Sequence, residues 1–250
     1  MALRQSCRGL PVYGGLDLSR LTDLTALVLI TTEEPIAAMP WIWVPGEDLE
    51  GRSERDRVPY VQWVEAGLIE TMPGEVIDED LLEQRILDIV DDYELIELAF
   101  DPYNAMRIAP RLAGEGLPIV EVRQGFYLSP ACKRLEAMVV DGKIRHAGHP
   151  VLRSAAEKTA IATDQNGNIR PIKIAKRRHR IDPIVALLMA IQRWSVGDPA
   201  PGRSVYEEEW YDSVASGGAA APGSEEEASI ESALRPGPVR RGRRSVYEEF

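Results

Sequence analysis

The sequence predicts an α/β protein in which one mixed β-sheet, an antiparallel meander followed by parallel strands, is flanked by helices. The first observation behind this prediction is a series of apolar segments of strand length near the start of the chain. A polar turn over 18–23 separates the first two, and their close spacing favours an antiparallel meander. The segments are 10–17, 24–30 and 41–44.

The second observation is a β–α–β pattern in the middle of the chain. The apolar segment LIELAFD at 95–101 is followed by a predicted helix over roughly 104–114 and by the strand LPIVEV at 117–122. Two strands that are joined through a helix are expected to lie parallel in the same sheet.

Helices and one hairpin complete the predicted fold. Asp78 can cap one helix, and Ser129-Pro130 supplies a cap and a first-turn proline for another. The segment 161–174 alternates around Asn166-Gly167, which is a strong hairpin signal. The charged stretch 46–57 is predicted to be mobile. The predicted helices are 58–67, 78–90, 104–114, 129–140, 151–160 and 182–194.

Length and composition indicate one large domain with a tail. The 250 residues are 44% hydrophobic, with no apolar run that approaches a membrane span and no export signal, so we expect a cytoplasmic protein without membrane contact. We predict an N-terminal extension over 1–9, the folded domain over 10–196 and a disordered tail over 197–250, where Gly, Ala, Ser, Pro and Glu dominate. Two cysteines far apart in the sequence favour reduced thiols.

The formal net charge of −11 argues against a protein that coats nucleic acid through bulk electrostatics. Any DNA contact is therefore expected to be local. The densest basic cluster is compatible either with such a contact or with a solvated hairpin face. It consists of Arg170, Lys173, Lys176, Arg177, Arg178 and Arg180.

Three aspartates occupy positions where a sheet and a helix could bring them together. Asp17 ends the first predicted strand, Asp101 ends the first parallel strand, and Asp182 begins the last helix. Neighbouring strand ends meet at one edge of a sheet. Clustered carboxylates repel one another unless a cation neutralises them, and oxygen-only ligands favour Mg²⁺ or Mn²⁺, with two ions expected.

Each aspartate also has a purely structural interpretation. Asp17 could form a turn with the residues that follow it, and Asp101 could stabilise the turn set by Pro102. Asp182, directly before Pro183, is a fully adequate helix N-cap without any metal.

Three separated blocks of the chain resemble the nuclease part of the large terminase subunit of tailed phages. The blocks are GGLDLSRLTDLTALVLI at 14–30, LAFDPYNAMRIAPRLAGEGLPIVEVRQG at 98–125 and RRHRIDPIVALLMAIQRW at 177–194, and the tail phrase SVYEE at 204–208 is also similar. The resemblance implies a ribonuclease H-like fold, with which the order of predicted elements agrees, and endonucleolytic cutting of concatemeric phage DNA during packaging. It also implies that Asp17, Asp101 and Asp182 are the catalytic, metal-binding carboxylates.

The same resemblance implies partners. These are double-stranded DNA, a packaging ATPase domain or subunit, the portal and the small terminase subunit. The chain contains no GxxxxGK[ST] phosphate loop, so the ATPase is expected on another polypeptide or on a part of the protein outside this chain. We expect the basic stretch to grip the DNA backbone through Lys173, Lys176, Arg177, Arg178 and Arg180.

Other interpretations remain open at this point. A junction resolvase or a transposase would use the same fold and the same acids, and a non-catalytic docking module of the packaging machinery would keep the fold alone. The pair His146 and His149 is a weak zinc candidate because it lies in a loop with no further ligand nearby. The repeat of RSVYEE at 203–208 and 244–249 is either a duplication without function or a repeated docking peptide.

Overall fold

A mixed β-sheet forms the centre of the protein in a computed structural model that describes residues 2–18, 24–103, 105, 107–175 and 179–197. Within these residues the sheet has seven strands. They are β1 (Pro11–Asp17), β2 (Thr25–Thr31), β3 (Ile36–Pro45), β4 (Glu70–Met72), β5 (Glu94–Phe100), β6 (Ile119–Glu121) and β7 (Ile144–Arg145). The strands β8 (Thr159–Thr163) and β9 (Ile169–Lys173) form a separate antiparallel hairpin.

The strand order confirms the predicted topology. The order is β4-β3-β2-β1-β5-β6, with β7 paired to β3. Among the first three strands each is antiparallel to its neighbour, whereas β1, β5 and β6 run parallel. The chain therefore begins with a meander and adds parallel strands beside β1, which places β1 at the centre of the sheet.

Helices cover both faces of the sheet. The helices are α1 (Ala2–Ser6), α2 (Leu49–Asp56), α3 (Tyr60–Glu65), α4 (Glu79–Val90), α5 (Ile108–Gly114), α6 (Ser129–Val140), α7 (Pro150–Glu157) and α8 (Asp182–Val196). Two buried apolar clusters result, one between the sheet and α6, α7 and α8, the other between the sheet and α4 and α5. No helix among the described residues is long and apolar enough to cross a membrane.

Several sequence-based expectations change in detail. The stretch 46–57, predicted to be mobile, contains α2, in which Arg52 and Asp56 are buried.

Ser129 does not cap α6 but lies inside it, and its hydroxyl accepts a hydrogen bond from the backbone N–H of Ile169 in the hairpin at 3.0 Å. Asp78 does cap α4 as predicted, through the backbone N–H groups of Asp80 and Leu81. The predicted tail from 198 onward lies outside the described residues.

Helix α8 lies directly on the backbone of β1. Side chains alternate along a strand, so Tyr13, Gly15 and Asp17 share the face that α8 covers. A β-carbon placed on Gly15 would lie 1.9 Å from the carbonyl oxygen of Ala186 and 2.9 Å from the backbone nitrogen of Ala190. Only glycine permits this close approach.

A buried ion pair fixes the other end of α8. Arg193 donates two hydrogen bonds to the carboxylate of Glu97 in β5, at 2.6 and 3.1 Å. Glu97 pairs with Tyr13 near the start of β1, so α8 runs back along β1 with its first turn at the carboxyl end of the strand. The first residue of α8, Asp182, is thereby placed beside the last residue of β1.

We expect the substitution Gly15→Ala to destabilise the protein by at least about 2 kcal/mol, because the new methyl group meets helix backbone that cannot rotate away. The measurement is urea unfolding of the full chain. Gly114→Ala is the matched control: Gly114 ends α5, and nothing lies within 4 Å of the position that a β-carbon would take there. The control should change the free energy of unfolding by no more than about 1 kcal/mol, in the stabilising direction. Equal effects of the two substitutions would contradict the close-contact argument.

Candidate active site

The candidate site lies at the carboxyl edge of the two central parallel strands. Leu16 of β1 is in register with Phe100 of β5, so Asp17 and Asp101 come next to each other at the same edge. Adjacent strands are spaced about 4.8 Å apart. Asp182 reaches this edge from the first turn of α8. The structure thus brings the three predicted aspartates to one region.

Asp17 is buried, with 6% of its surface exposed. Its Oδ1 accepts a hydrogen bond from the side-chain amide of Gln124 at 2.9 Å. Burial raises the pKa of Asp17 well above its ordinary value of 3.8, and the negative charges of Asp182 and Asp101 raise it further. The hydrogen bond from Gln124 and the charge of Lys173 act in the opposite direction but do not cancel the rise.

Asp101 is less enclosed and has a second role. Its Oδ1 accepts a hydrogen bond from the backbone N–H of Tyr103 at 3.0 Å. Burial raises the pKa of Asp101, and this hydrogen bond partly opposes the rise. Asp101 therefore stabilises the turn at Pro102, as one interpretation predicted, and it does so with one of its two carboxylate oxygens.

Asp182 is buried and lies inside α8 as its first residue. The N-cap position belongs to Ile181, so the interpretation of Asp182 as the helix cap is wrong. The positive end of the helix dipole favours a carboxylate in the first turn. The ammonium group of Lys173, at the end of β9, lies 3.9 Å from Asp182 Oδ1.

The three carboxylates influence one another electrostatically without converging on a single point. Among the described residues, no group of three or more His, Cys, Asp or Glu side chains is close enough together to hold a metal ion. The chemistry of the site nevertheless fits a divalent cation. Buried carboxylate oxygens that repel one another, with a raised pKa at Asp17, are stabilised by a hard cation that takes oxygen ligands.

The basic residues predicted to grip DNA do not share one environment. Lys173 lies at the site, whereas Lys176, Arg177 and Arg178 fall outside the described residues. Arg180 corrects the prediction: it is buried, and its guanidinium donates to both oxygens of Asp56 at 3.0 and 3.2 Å. Because this ion pair occupies the guanidinium inside the protein, Arg180 serves as an anchor for the chain that enters α8.

Three residues at or near the site were missed by sequence reasoning. Gln124 follows β6, and the same rule about strand ends that selected Asp101 would have selected it. Asp56 accepts hydrogen bonds from Arg180 and, at 3.1 Å, from the Tyr60 hydroxyl. Burial, followed by the charge of Asp56, raises the pKa of Tyr60. Asp56 also pairs with its neighbour Arg55, but no local signal marks the pairing with Arg180, which is 124 residues away.

Sequence comparison finds one matching family and two curated relatives. The family described as terminase large subunit, endonuclease domain, matches residues 4–198. The large terminase subunit of Enterobacteria phage HK97 is 38% identical over 184 residues, which are 72% of this chain and 36% of that protein. Protein YmfN of Escherichia coli strain K12 is 26% identical over 200 residues, 74% of this chain and 43% of that protein. The chain therefore spans less than half the length of these curated relatives.

Structural comparison also finds large terminases. The crystal structure of the HK97 bacteriophage large terminase superimposes with a TM-score of 0.68 at 34% identity, over 77% of this chain and 42% of that chain. The large terminase nuclease from thermophilic phage G20c superimposes with a TM-score of 0.50 at 12% identity, over 76% of this chain and 95% of that chain, which shows likeness of fold. The predicted ribonuclease H-like mixed sheet is confirmed.

The raised pKa of Asp17 predicts a pH-dependent stability. The folded protein holds the Asp17 proton more strongly than the unfolded chain does, so protonation stabilises the fold at low pH. That contribution is lost as the pH rises from about 3.8 through the pKa of the folded state. We expect Asp17→Asn, which removes the charge, to be more stable than the wild type in EDTA at neutral pH, with the difference shrinking toward acid.

The measurement is urea unfolding in EDTA across this pH range. Asp141→Asn is the control, since Asp141 is exposed where α6 ends. A wild type and an Asp17→Asn variant with parallel pH profiles would contradict the electrostatic account.

The ion pair of Arg180 with Asp56 predicts a large effect on stability. Asp56→Asn removes the charge of the buried carboxylate that Arg180 contacts, and breaking a buried ion pair typically costs about 3–5 kcal/mol. Asp92→Asn is the matched control, because it removes an exposed ion pair with Arg8 and should cost less than about 1 kcal/mol. Chemical unfolding of both variants measures the difference. Similar losses in the two would show that Arg180 does not depend on Asp56.

Proposed function

Because this chain belongs to the endonuclease-domain family of terminase large subunits, we propose that it is a divalent-metal-dependent nuclease that cuts concatemeric double-stranded phage DNA during genome packaging. The observation that carries the proposal is the edge of the sheet at which Asp17 is buried within the electrostatic influence of both Asp182 and Asp101. A structural scaffold gains nothing from such repulsion.

Asp17, Asp101 and Asp182 would hold the metal, as Mg²⁺ or Mn²⁺ and with two ions expected. Cations bound there supply activation of the attacking water and stabilisation of the leaving 3′ oxygen of the phosphodiester. The raised pKa of Asp17 has a consequence for the protein without metal, since its carboxylate is protonated more readily than that of an ordinary aspartate. Metal binding is therefore expected to compete with protons at Asp17 and to weaken toward acid pH.

The surrounding residues position these carboxylates. Gln124 fixes the orientation of Asp17 through its amide. Arg180 and Asp56 hold the segment that leads into Asp182. Lys173 offsets negative charge beside Asp182 and is placed to do the same for a scissile phosphate. We retain Lys176, Arg177 and Arg178 as proposed contacts to the DNA backbone, without Arg180.

The test is cleavage of supercoiled plasmid by the full chain with Mn²⁺, Mg²⁺ or EDTA. We expect cutting that requires metal and that Asp17→Asn, Asp101→Asn and Asp182→Asn each reduce by at least about 100-fold, since each removes a charged ligand. Asp141→Asn is the control and should cut normally, because Asp141 is exposed and ends a helix on the covering layer.

Binding of Mn²⁺ measured by calorimetry provides a readout besides cutting. Loss of both the heat of binding and the cleavage in the three variants supports the proposal. Absence of cleavage and of metal binding in the wild type would overturn it and favour a non-catalytic docking module of the packaging machinery.

We also propose that the domain acts beside a packaging ATPase domain or subunit, the portal and the small terminase subunit. The proposal is supported by the family to which the chain belongs and by its coverage of 36% of the HK97 large subunit. The remaining length of such a relative leaves room for activities that this chain does not carry.

A further inference from the structure

Two arginines stack on two aromatic rings immediately beside the candidate site. The guanidinium of Arg170, in β9, lies 5.0 Å from the ring centroid of Phe126, and that of Arg123 lies 6.0 Å from the ring centroid of Tyr127. We call these four residues the arginine–aromatic surface. Both rings belong to the 3₁₀ turn Gly125–Leu128 that precedes α6.

The chain ties this surface to the carboxylates on two sides. Arg123 and the 3₁₀ turn flank Gln124, whose amide is hydrogen-bonded to Asp17. Tyr127 is three residues from Gln124, so its backbone is within about 10 Å of it along the chain. On the other side, the strand that carries Arg170 ends in Lys173, which lies beside Asp182.

Neither of the two guanidinium groups is engaged by a described carboxylate of the protein. Within the described part of the chain neither Arg123 nor Arg170 forms an ion pair, and the Nε of Arg170 is buried without a hydrogen-bond acceptor. Arg134 is the instructive contrast, since it also stacks on a ring, that of Trp194 at 5.1 Å, but its guanidinium is paired with Glu34 at 3.1 Å. Arg134 is thus engaged by a carboxylate of the protein, whereas the other two have no such partner among the described residues.

Exposure and charge define the ligand. Tyr127 is 62% exposed and Phe126 is 36% exposed, so both aromatic residues lie at the surface. A guanidinium that lies over a ring can still use the edge of its planar group, and this edge matches the two oxygens of a phosphate. In a chain with a net charge of −11, such a local positive surface is where a polyanion can be held.

We propose that the arginine–aromatic surface binds the sugar-phosphate backbone of the DNA substrate next to the scissile bond, with Arg123 and Arg170 as phosphate contacts and the two rings as their supports. This inference rests on the proposed nuclease function and adds residues that are not among the DNA contacts proposed above. Contacts to phosphates position DNA but do not read its sequence.

The test is fluorescence anisotropy of a labelled duplex with the full chain, in EDTA so that no cutting occurs, over a series of salt concentrations. Arg123→Ala and Arg170→Ala should each weaken binding about tenfold at low salt and by the same factor on two unrelated sequences. Each should also reduce the slope of log affinity against log salt by about one. Arg134→Ala, the matched control, should leave affinity and slope unchanged.

The role of the rings is tested at constant charge. Tyr127→Leu should weaken binding because Arg123 loses its support, whereas Tyr127→Phe retains the ring and should bind as the wild type does. Thermal unfolding of each variant identifies any loss of fold. Wild-type affinity and slope in both arginine variants would overturn the proposal, as would an equal loss in Arg134→Ala or the absence of wild-type binding at low salt.

The plasmid cleavage assay distinguishes failure of the arginine–aromatic surface proposal from failure of the nuclease proposal. If the arginine variants bind normally while Asp17→Asn abolishes metal-dependent cutting, the surface is wrong and the nuclease assignment stands. If the wild type does not cut or bind metal, the nuclease assignment itself fails.

Discussion

The close contact between Gly15 and helix α8 is the constraint on which the site depends. With no side chain at Gly15, the helix backbone rests on the central strand at Ala186. Asp17 lies two residues beyond Gly15, about 7 Å along the strand, and Asp182 lies four residues before Ala186, about 6 Å along the helix. Similar displacements in the same direction bring the two carboxylates to one edge. A bulkier residue would move the helix and separate them.

The carboxylates stay together because the scaffold outweighs their repulsion. Burial and like charges raise the pKa of Asp17, which means that its ionised form is held at a cost. Gln124 and Lys173 reduce that cost locally, while the bidentate pair of Arg180 with Asp56 holds the entrance to α8. The arrangement is thus prepared for positive charge, and a bound cation or a protonated Asp17 would each relieve the same repulsion.

Local patterns in the sequence predicted most of the elements that form the site. Apolar runs located β1 and β5, Asn166-Gly167 located the hairpin, and Asp182-Pro183 located α8. The rule that strand ends meet at one edge then placed Asp17 beside Asp101. The features that the sequence could not predict depend on contacts between distant residues. Helix α2 has few apolar residues, so no periodic pattern predicts it. The role of Asp56 as the partner of Arg180 becomes apparent only in the folded protein.

Arg180 and Arg170 show why charge along a sequence does not define a binding surface. Both belong to the same basic stretch, and composition alone treats them alike. Arg180 is buried, and its Nε and Nη2 both donate to the carboxylate of Asp56. Arg170 instead stacks on Phe126 beside exposed surface. A cation whose donors are already used by an internal carboxylate, as those of Arg180 are, has little left to offer a polyanion. The fold determines which arginines are buried and paired with a carboxylate. It therefore distinguishes Arg180, which stabilises the entrance to α8, from Arg170, which is proposed to contact DNA.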